Sequence, residues 1–120
     1  MSNNLVDFSF VYEMSDNDKA YVHELTGLFL NTVSEGLEKL AGLVNAYEDL
    51  DQIRRQAHFL KSSANVIKVK GMFEDFVKLE ALAREGEPKD KMMPLLSNLL
   101  ATFADARPEL VAEIEKTRQG

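Results

Sequence analysis

The sequence predicts an all-α protein, and three observations support that prediction. Only six of the 120 residues are glycine and three are proline, so few positions break regular structure. No segment alternates apolar and polar residues as a half-buried strand would. Apolar residues instead recur every three or four positions along four segments, the spacing of one side of a helix. Because this length suits one domain, we expect one antiparallel up-and-down four-helix bundle over residues 1–120.

The first long helix is predicted from about Asp18 to Tyr47, after a short N-terminal helix or ordered arm over residues 5–14. The polar run just before it offers side-chain oxygens to the unpaired amides of the helix start. Its apolar stripe consists of Val22, Leu25, Phe29, Val33, Leu37, Leu40, Val44 and Tyr47, broadened by Leu28 and Leu43. Gly36 and Gly42 in this helix mark either close packing or weak points.

The second long helix is predicted from about Leu50 to Ile67. Asp49, followed three residues later by Gln52, resembles a capping box that starts this helix. The apolar stripe consists of Leu50, Ile53, Ala57, Leu60, Ala64 and Ile67. At ~100° per residue, His58 lies ~130° from the direction of that stripe, so we expect its ring to face solvent.

Two further helices complete the predicted bundle. A tight link at residues 68–71 leads into a helix from about Met72 to Arg84, and Gly86 follows as its C-terminal stop. The last helix is predicted from about Lys89 to Thr117. Because proline lacks a backbone N–H and disfavours helical geometry just before it, we expect a kink or break at Pro108.

The sequence excludes several kinds of chemistry. The absence of cysteine excludes disulfides, thiol catalysis and thiolate metal sites. His23 and His58 lie on different predicted helices, without a second ligand at metal-binding spacing. No glycine-rich phosphate loop and no Gly-x-Ser-x-Gly nucleophile elbow occur. We therefore expect no autonomous enzyme, no kinase and no cofactor, and we assign no role to His23, which we place in solvent or at the bundle edge.

No segment directs the chain to a membrane or to secretion. The N-terminus lacks the basic segment and apolar run of a signal peptide. No stretch approaches the ~20 apolar residues of a membrane span. Together with the absence of cysteine, these features favour a cytoplasmic protein. Met1 and the complete set of helices favour a free-standing protein, and a domain of a larger kinase would give the same pattern.

Charge is distributed unevenly along the chain. The net charge of -6 argues against nucleic-acid binding, which requires a basic surface. Residues 52–73, however, contain no acidic residue, and their cations are Arg54, Arg55, Lys61, Lys68 and Lys70. We call these five residues the basic island. The island includes the neighbours of His58, although a solvated helix face would show the same run of charge.

An exposed imidazole ringed by cations offers nucleophilic chemistry. Neutral histidine, the main form at physiological pH, has one unprotonated ring nitrogen that can attack an electrophile. Lys61, one turn beyond His58, could offset the charge of an attached phosphoryl group. The position alone fits equally well an incidental surface histidine.

The residues around His58 decide between these interpretations. The segment reads Arg54-Arg55-Gln56-Ala57-His58-Phe59-Leu60-Lys61-Ser62-Ser63-Ala64. It resembles the His-x-x-Lys-Gly signature of the histidine-containing phosphotransfer (HPt) domains of two-component phosphorelays. The resemblance continues to Leu79-Glu80 and extends to the helices on either side, so it covers nearly the whole chain.

The resemblance implies that His58 is the phosphoacceptor and that Lys61 stabilises the phosphate. This chain departs from the family at two positions, with Ser62 and Lys68 where HPt domains usually have glycine. Small residues there are thought to let the partner approach the histidine. Ser62 is small and could hydrogen-bond the phosphoryl group, whereas Lys68 is bulky and charged. Both changes therefore bear on partner choice and transfer rate.

The family also implies the partners. We expect response-regulator receiver domains as partners, with a hybrid sensor kinase as a further candidate. The Mg²⁺ ion would be bound to the receiver rather than to this chain. The predicted docking rim consists of Arg54, Arg55, Phe59, Asn65 and Lys68. Phe59 would be an apolar anchor, or alternatively would fill the core between helices. We expect a monomer.

Two other functions fit the same sequence. The first is a helical adaptor that binds a receiver or another protein without being phosphorylated, and a His58→Gln variant of an adaptor would keep its effect. The second is a bundle that dimerises through the first long helix, with His58 incidental. The mass in solution distinguishes it from a monomeric carrier.

Overall fold

The structure, a computed structural model, describes residues 4–118 as a helical bundle with a small sheet. The five helices are α1 (Ser9–Met14), α2 (Lys19–Ala46), α3 (Leu50–Ala64), α4 (Met72–Arg84) and α5 (Lys89–Lys116). The two strands are β1 (Val6–Asp7) and β2 (Lys68–Val69). The prediction of a helical bundle is therefore confirmed.

Both helices on which the site depends begin at an aspartate. The Asp18 carboxylate accepts hydrogen bonds from the amides of Ala20 and Tyr21 at 3.0 and 3.3 Å, which fixes the start of α2. Asp49 caps α3 in the same way, and its second oxygen accepts from the Gln52 side chain at 3.1 Å. Because only three residues separate α2 from α3, the caps fix where the second helix leaves the first.

The four long helices enclose one apolar core. Helix α2 packs against α3 and α5, and α4 packs against the same two helices on the other side. The largest fully buried side chains include Leu37, Leu40, Ile53, Leu60, Phe76, Leu79, Met92, Leu99 and Leu110. Leu28, predicted as part of the stripe of α2, is instead more than half exposed.

Gly36 is a point of close approach between α2 and α3. A Cβ atom at Gly36 would lie 2.4 Å from Cδ2 of the buried Leu60 and 3.2 Å from Nε2 of Gln56. The Gln56 side chain donates to the Gly36 carbonyl at 3.1 Å across the same contact. At Gly42 an added Cβ would meet nothing within 4 Å. Of the two alternatives offered by the sequence, close packing therefore holds for Gly36 and not for Gly42.

The N-terminal segment pairs with the link after α3, a contact that the sequence did not predict. Val6 lies opposite Val69 and Asp7 opposite Lys68 in an antiparallel ladder. Strands of two residues are too short to show a period, and their partners are distant in sequence. The backbone amides of Leu5 and Val6 also donate to the Glu109 carboxylate, both at 2.9 Å, so the segment is fixed to α5 as well.

One predicted helix boundary is wrong, and of the two alternatives at Pro108, a kink or a break, the break does not occur. Helix α3 ends at Ala64 rather than Ile67, and the chain leaves the helix through a turn although Ile67 is still buried. The apolar spacing continued past the last helical residue, which is why it misplaced the end. Helix α5 continues through Pro108, so the proline does not break it there. Both points concern ends and interruptions of helices, which are less well defined by the apolar spacing than the helices themselves.

No helix within residues 4–118 combines the length and the apolar character that crossing a membrane requires.

Candidate functional site

His58 projects from the side of α3 opposite the core. Its neighbours Ala57 and Leu60 are fully buried, whereas the His58 side chain is 57% exposed. The apolar stripe of α3 packs on the core. Because His58 lies outside that stripe, its side chain points away from the core. The ring is therefore open to a partner on one edge.

A buried carboxylate from the next helix lies under the other edge of the ring. Glu80 on α4 has a side chain that is only 6% exposed. Its Oε2 atom lies 2.9 Å from His58 Nδ1, and its Oε1 atom accepts from Lys61 Nζ at 2.9 Å. Arg84 Nη2, one turn along α4, lies 3.4 Å from the same Oε2 atom. Histidine, lysine and arginine thus meet on one glutamate.

Sequence reasoning missed Glu80, because an acidic residue within a helix is most simply interpreted as a solvated group on its exterior. That interpretation is wrong for Glu80. A signal was present: Glu80 follows Phe76 by four residues and precedes Ala83 by three, so it stands within the apolar stripe of α4. A charged residue at such a position is buried only when it is paired.

The cations keep this buried glutamate ionised. Burial by itself raises the pKa of Glu80, but the hydrogen bonds from Lys61 and His58 outweigh it and hold the pKa below the ordinary value of 4.5. An ionised carboxylate only accepts hydrogen bonds. The hydrogen shared with His58 therefore belongs to Nδ1, which leaves Nε2 of the neutral ring unprotonated.

Most cations of the basic island have a partner within the chain. Asp51, one residue before the acid-free segment, pairs with Arg54 and with Arg55, each at 2.8 Å. Lys61 forms a salt bridge with Glu80. Lys68 lies over the ring of Phe10, 5.2 Å from its centroid. The net positive field around His58 is therefore weaker than the sequence alone indicates.

The other predicted site residues lie close to His58 along α3. The Ser62 hydroxyl donates to the backbone carbonyl of His58 at 3.4 Å. Asn65 is exposed and forms the C-cap of α3. Their roles toward a phosphoryl group or a partner stay predictions.

An apolar groove lies beside His58, between α2 and α3. Its volume is about 280 Å³, and its lining includes Leu25, Leu28, Phe59 and Val66. The rings and methyl groups of Phe59 and Leu28 are more than half exposed at its edge. Phe59 therefore does not fill the core, and of its two interpretations the exposed one matches its position.

His23 belongs to a different part of the molecule. Its Nδ1 atom lies 2.9 Å from the carbonyl oxygen of Ile114 and 3.2 Å from the Thr117 hydroxyl, at the end of α5. His23 thus ties α2 to α5 at the bundle edge. No group of three or more histidine, cysteine or acidic side chains within residues 4–118 is arranged to hold a metal ion.

The fold and the site together define a class of protein: a helical bundle that presents a histidine at its surface, backed by a buried carboxylate. The family model of the Hpt domain matches residues 24–119. The chain belongs to the Hpt domain family, whose members take part in histidine phosphotransfer in phosphorelays and act as carriers rather than enzymes. Comparison with the curated proteins gave no match, and comparison with the solved structures gave none either.

Proposed function

We propose that this Hpt domain carries a phosphoryl group on Nε2 of His58 between the aspartates of two receiver domains. The observation that supports it most directly is the hydrogen bond of 2.9 Å between Nδ1 and the ionised Glu80. That bond directs the lone pair of the ring to Nε2, and the exposure of the ring makes Nε2 accessible to a partner.

The transfer step forms one bond to phosphorus and breaks another. The Nε2 lone pair forms a bond to phosphorus, the bond between phosphorus and the aspartyl oxygen breaks, and the aspartate leaves as a carboxylate. With Nδ1 still protonated, the phosphorylated ring carries a formal positive charge. The Glu80 carboxylate stabilises that charge, as the buried aspartate of a catalytic triad stabilises an imidazolium. The reverse step returns the group to a second receiver.

The receiver would supply the rest of the chemistry. Its aspartate, its bound Mg²⁺ and its fixed dipoles would stabilise the transferring phosphoryl group, so this chain needs no cofactor of its own. Lys61 and Ser62 are the residues of this chain that we assign to the phosphate side of His58. A hybrid sensor kinase carrying a receiver would be a donor of the same kind.

We assign docking to the surface around His58. The apolar groove with Phe59 would accept an apolar side chain of the receiver. Arg54, Arg55, Asn65 and Lys68 would form a polar rim that favours an acidic partner surface and accelerates association. The chain would act as a monomer, as is expected of HPt domains of this kind.

The test uses a phosphorylated receiver with labelled phosphate and three proteins: wild type, His58→Gln and His23→Gln. We expect label on the wild type and on the His23 variant and none on His58→Gln. The label should be lost in acid and kept in base, as for a phosphohistidine. Binding of a receiver without label on any of the three proteins would contradict the carrier and support the adaptor.

A further inference from the structure

Lys68 differs from three other cations of the basic island in the kind of partner that holds it. Arg54, Arg55 and Lys61 each form a salt bridge with a carboxylate, at 2.8, 2.8 and 2.9 Å. The Lys68 ammonium lies instead over the ring of Phe10, and it forms no salt bridge with any residue that the structure describes. An aromatic face attracts a cation without adding a negative charge. The charge of Lys68 therefore stays available to a partner.

The backbone that carries Lys68 is fixed by the small sheet. Lys68 lies opposite Asp7 in the ladder between β1 and β2, and its neighbour Val69 is buried. The Asp7 carboxylate accepts from the Ser9 amide at 2.9 Å and so belongs to the start of α1. The two hydrogen bonds to Glu109 fix the same segment to α5. The base of the Lys68 side chain therefore has a fixed position.

The ring of Phe10 is anchored independently through its own helix. Val11, the next residue, is fully buried, and the Tyr12 hydroxyl donates a hydrogen bond to the Glu113 carboxylate of α5. Phe10 itself is 42% exposed, so burial in the core does not explain the position of its ring. With both partners of the contact anchored, the Lys68 side chain loses rotamer freedom during folding rather than during binding.

Lys68 directly follows one wall of the apolar groove to which we assign receiver docking. Val66 and Ile67, the two residues before it, line that groove together with Phe59. The link that carries Lys68 is thus continuous with the proposed docking surface. A positive charge held next to an apolar groove favours a partner that places an acidic side chain beside its apolar contact.

We propose that Phe10 positions Lys68 as a preformed contact for an acidic side chain of the receiver, so that α1 takes part in partner choice. The inference rests on the proposed function and adds a positioning residue outside the helix of His58. It also gives a reason why a lysine is tolerated where the family usually has glycine. The contact with Phe10 directs the long side chain toward α1.

The first measurement needs no partner. NMR of the free protein compares the ε-methylene protons of Lys68 in the wild type and in Phe10→Leu. We expect these protons at higher field in the wild type, because the end of the side chain lies over the face of an aromatic ring, 5.2 Å from its centroid. In the variant they should return to the ordinary position of a lysine. Equal shifts in the two proteins would overturn the proposal.

The second measurement is the Kd for the receiver domain of the transfer test, at several salt concentrations. Lys68→Gln should raise the Kd about two- to fivefold, the equivalent of one exposed cation–π contact, and should weaken its dependence on salt. Phe10→Leu should raise the Kd by no more than Lys68→Gln does, because it only frees the side chain. Lys68→Arg should keep the wild-type Kd, since arginine is charged and also stacks on aromatic rings.

A double variant shows whether Phe10 acts through Lys68. Phe10→Leu combined with Lys68→Gln should bind no more weakly than Lys68→Gln alone, whereas additive losses would mean a separate structural effect of Phe10 and would overturn the proposal. Val111→Ala is the matched control, because Val111 is also 42% exposed and lies on α5. It should leave the Kd unchanged. Thermal unfolding verifies that each variant is folded.

The two proposals fail in different ways. Binding that follows these expectations without phosphoryl transfer to His58 supports the role of Phe10 and contradicts the carrier function alone. Transfer to the wild type, with an unchanged Kd in folded Phe10→Leu and Lys68→Gln, overturns the role of Phe10 and leaves the carrier function in place. Absence of both binding and transfer contradicts both.

Discussion

His58 is prepared for reaction by one hydrogen bond that crosses from α3 to α4. The bond between Nδ1 and Glu80 selects one tautomer of the ring, and the burial of the carboxylate keeps water from competing for it. A free imidazole exchanges between its two neutral tautomers. The site therefore differs from an incidental surface histidine in a property that can be measured before any partner is known.

The tautomer of His58 is the first prediction at this scale. ¹⁵N NMR of the neutral ring should show hydrogen on Nδ1 in the wild type, because Glu80 only accepts. Glu80→Ala should return the ring to a mixture of tautomers and slow phosphoryl transfer about 10- to 100-fold, the equivalent of one charge-assisted hydrogen bond. A wild-type spectrum with hydrogen on Nε2 would contradict the assignment.

The second prediction at this scale concerns the stability of the folded protein in acid. Since the pKa of Glu80 is lowered in the fold, the unfolded chain takes up the proton at higher pH than the folded chain does. The stability from Glu80 is thus complete above the ordinary value of 4.5 and is lost as the pH falls through the lowered value. Urea unfolding should show Glu80→Gln less stable by about 1–3 kcal/mol at neutral pH, with the gap to wild type closing in acid.

Glu74→Gln is the matched control for that experiment, because Glu74 is exposed on the same helix. It should leave both the stability and its dependence on pH close to those of the wild type. A gap between wild type and Glu80→Gln that stays constant on acidification would show that the charge of Glu80 does not stabilise the fold.

Residue-scale prediction from the sequence succeeded along a helix and failed between helices. The outward direction of His58 follows from spacing within α3 alone. The contact with Glu80 depends on how α4 packs against α3, and no local pattern encodes that distance. The pairing of Arg54 and Arg55 with Asp51 lies within helical spacing and was missed only because the acid-free segment begins one residue later.

At the scale of elements, the site depends on the close contact of α2 with α3 at Gly36. Leu60, which an added Cβ would strike, is two residues from His58 on the same helix. Any shift that relieves the clash therefore moves the element that holds the nucleophile. Packed interiors transmit such shifts because they contain little free volume.

Two alanine substitutions in α2 test this contact against each other. Gly36→Ala should destabilise the protein by about 1–3 kcal/mol through overpacking, since its Cβ would lie 2.4 Å from Leu60. Gly42→Ala meets nothing within 4 Å and should stabilise by about 0.5–1 kcal/mol through helix propensity. Equilibrium unfolding in urea measures both. Equal effects of the two substitutions would show that the helices do not touch at Gly36.

Helices whose apolar stripe extends over several turns were predictable from the sequence. The short strands and the exact helix ends were not. The stripe of α2 extends over its whole length, and the aspartate caps mark where α2 and α3 begin. The ladder between Val6 and Val69 has no period to detect and depends on a contact between distant segments. The end of α3 and the passage of α5 through Pro108 do not follow from the apolar spacing.

On the scale of the whole molecule, the bundle carries a net charge of -6, yet five of its 14 lysine and arginine residues lie in the acid-free segment that contains His58. His58 on α3 contacts Glu80 of α4, while the short helix α1 packs against α2 and strand β1 packs against α5. The apolar groove lies beside His58 on the α2 side of α3, and the Glu80 carboxylate contacts the Nδ1 edge of the ring. Such a surface suits a partner that binds transiently and must approach Nε2 of His58.

The most direct measurement is ³¹P and ¹⁵N NMR of the chain after it has been phosphorylated by a receiver. Our account predicts one phosphorus resonance, coupled to Nε2 of His58 and absent from His58→Gln. Phosphorus on Nδ1, on His23 or on no histidine of the chain would contradict it.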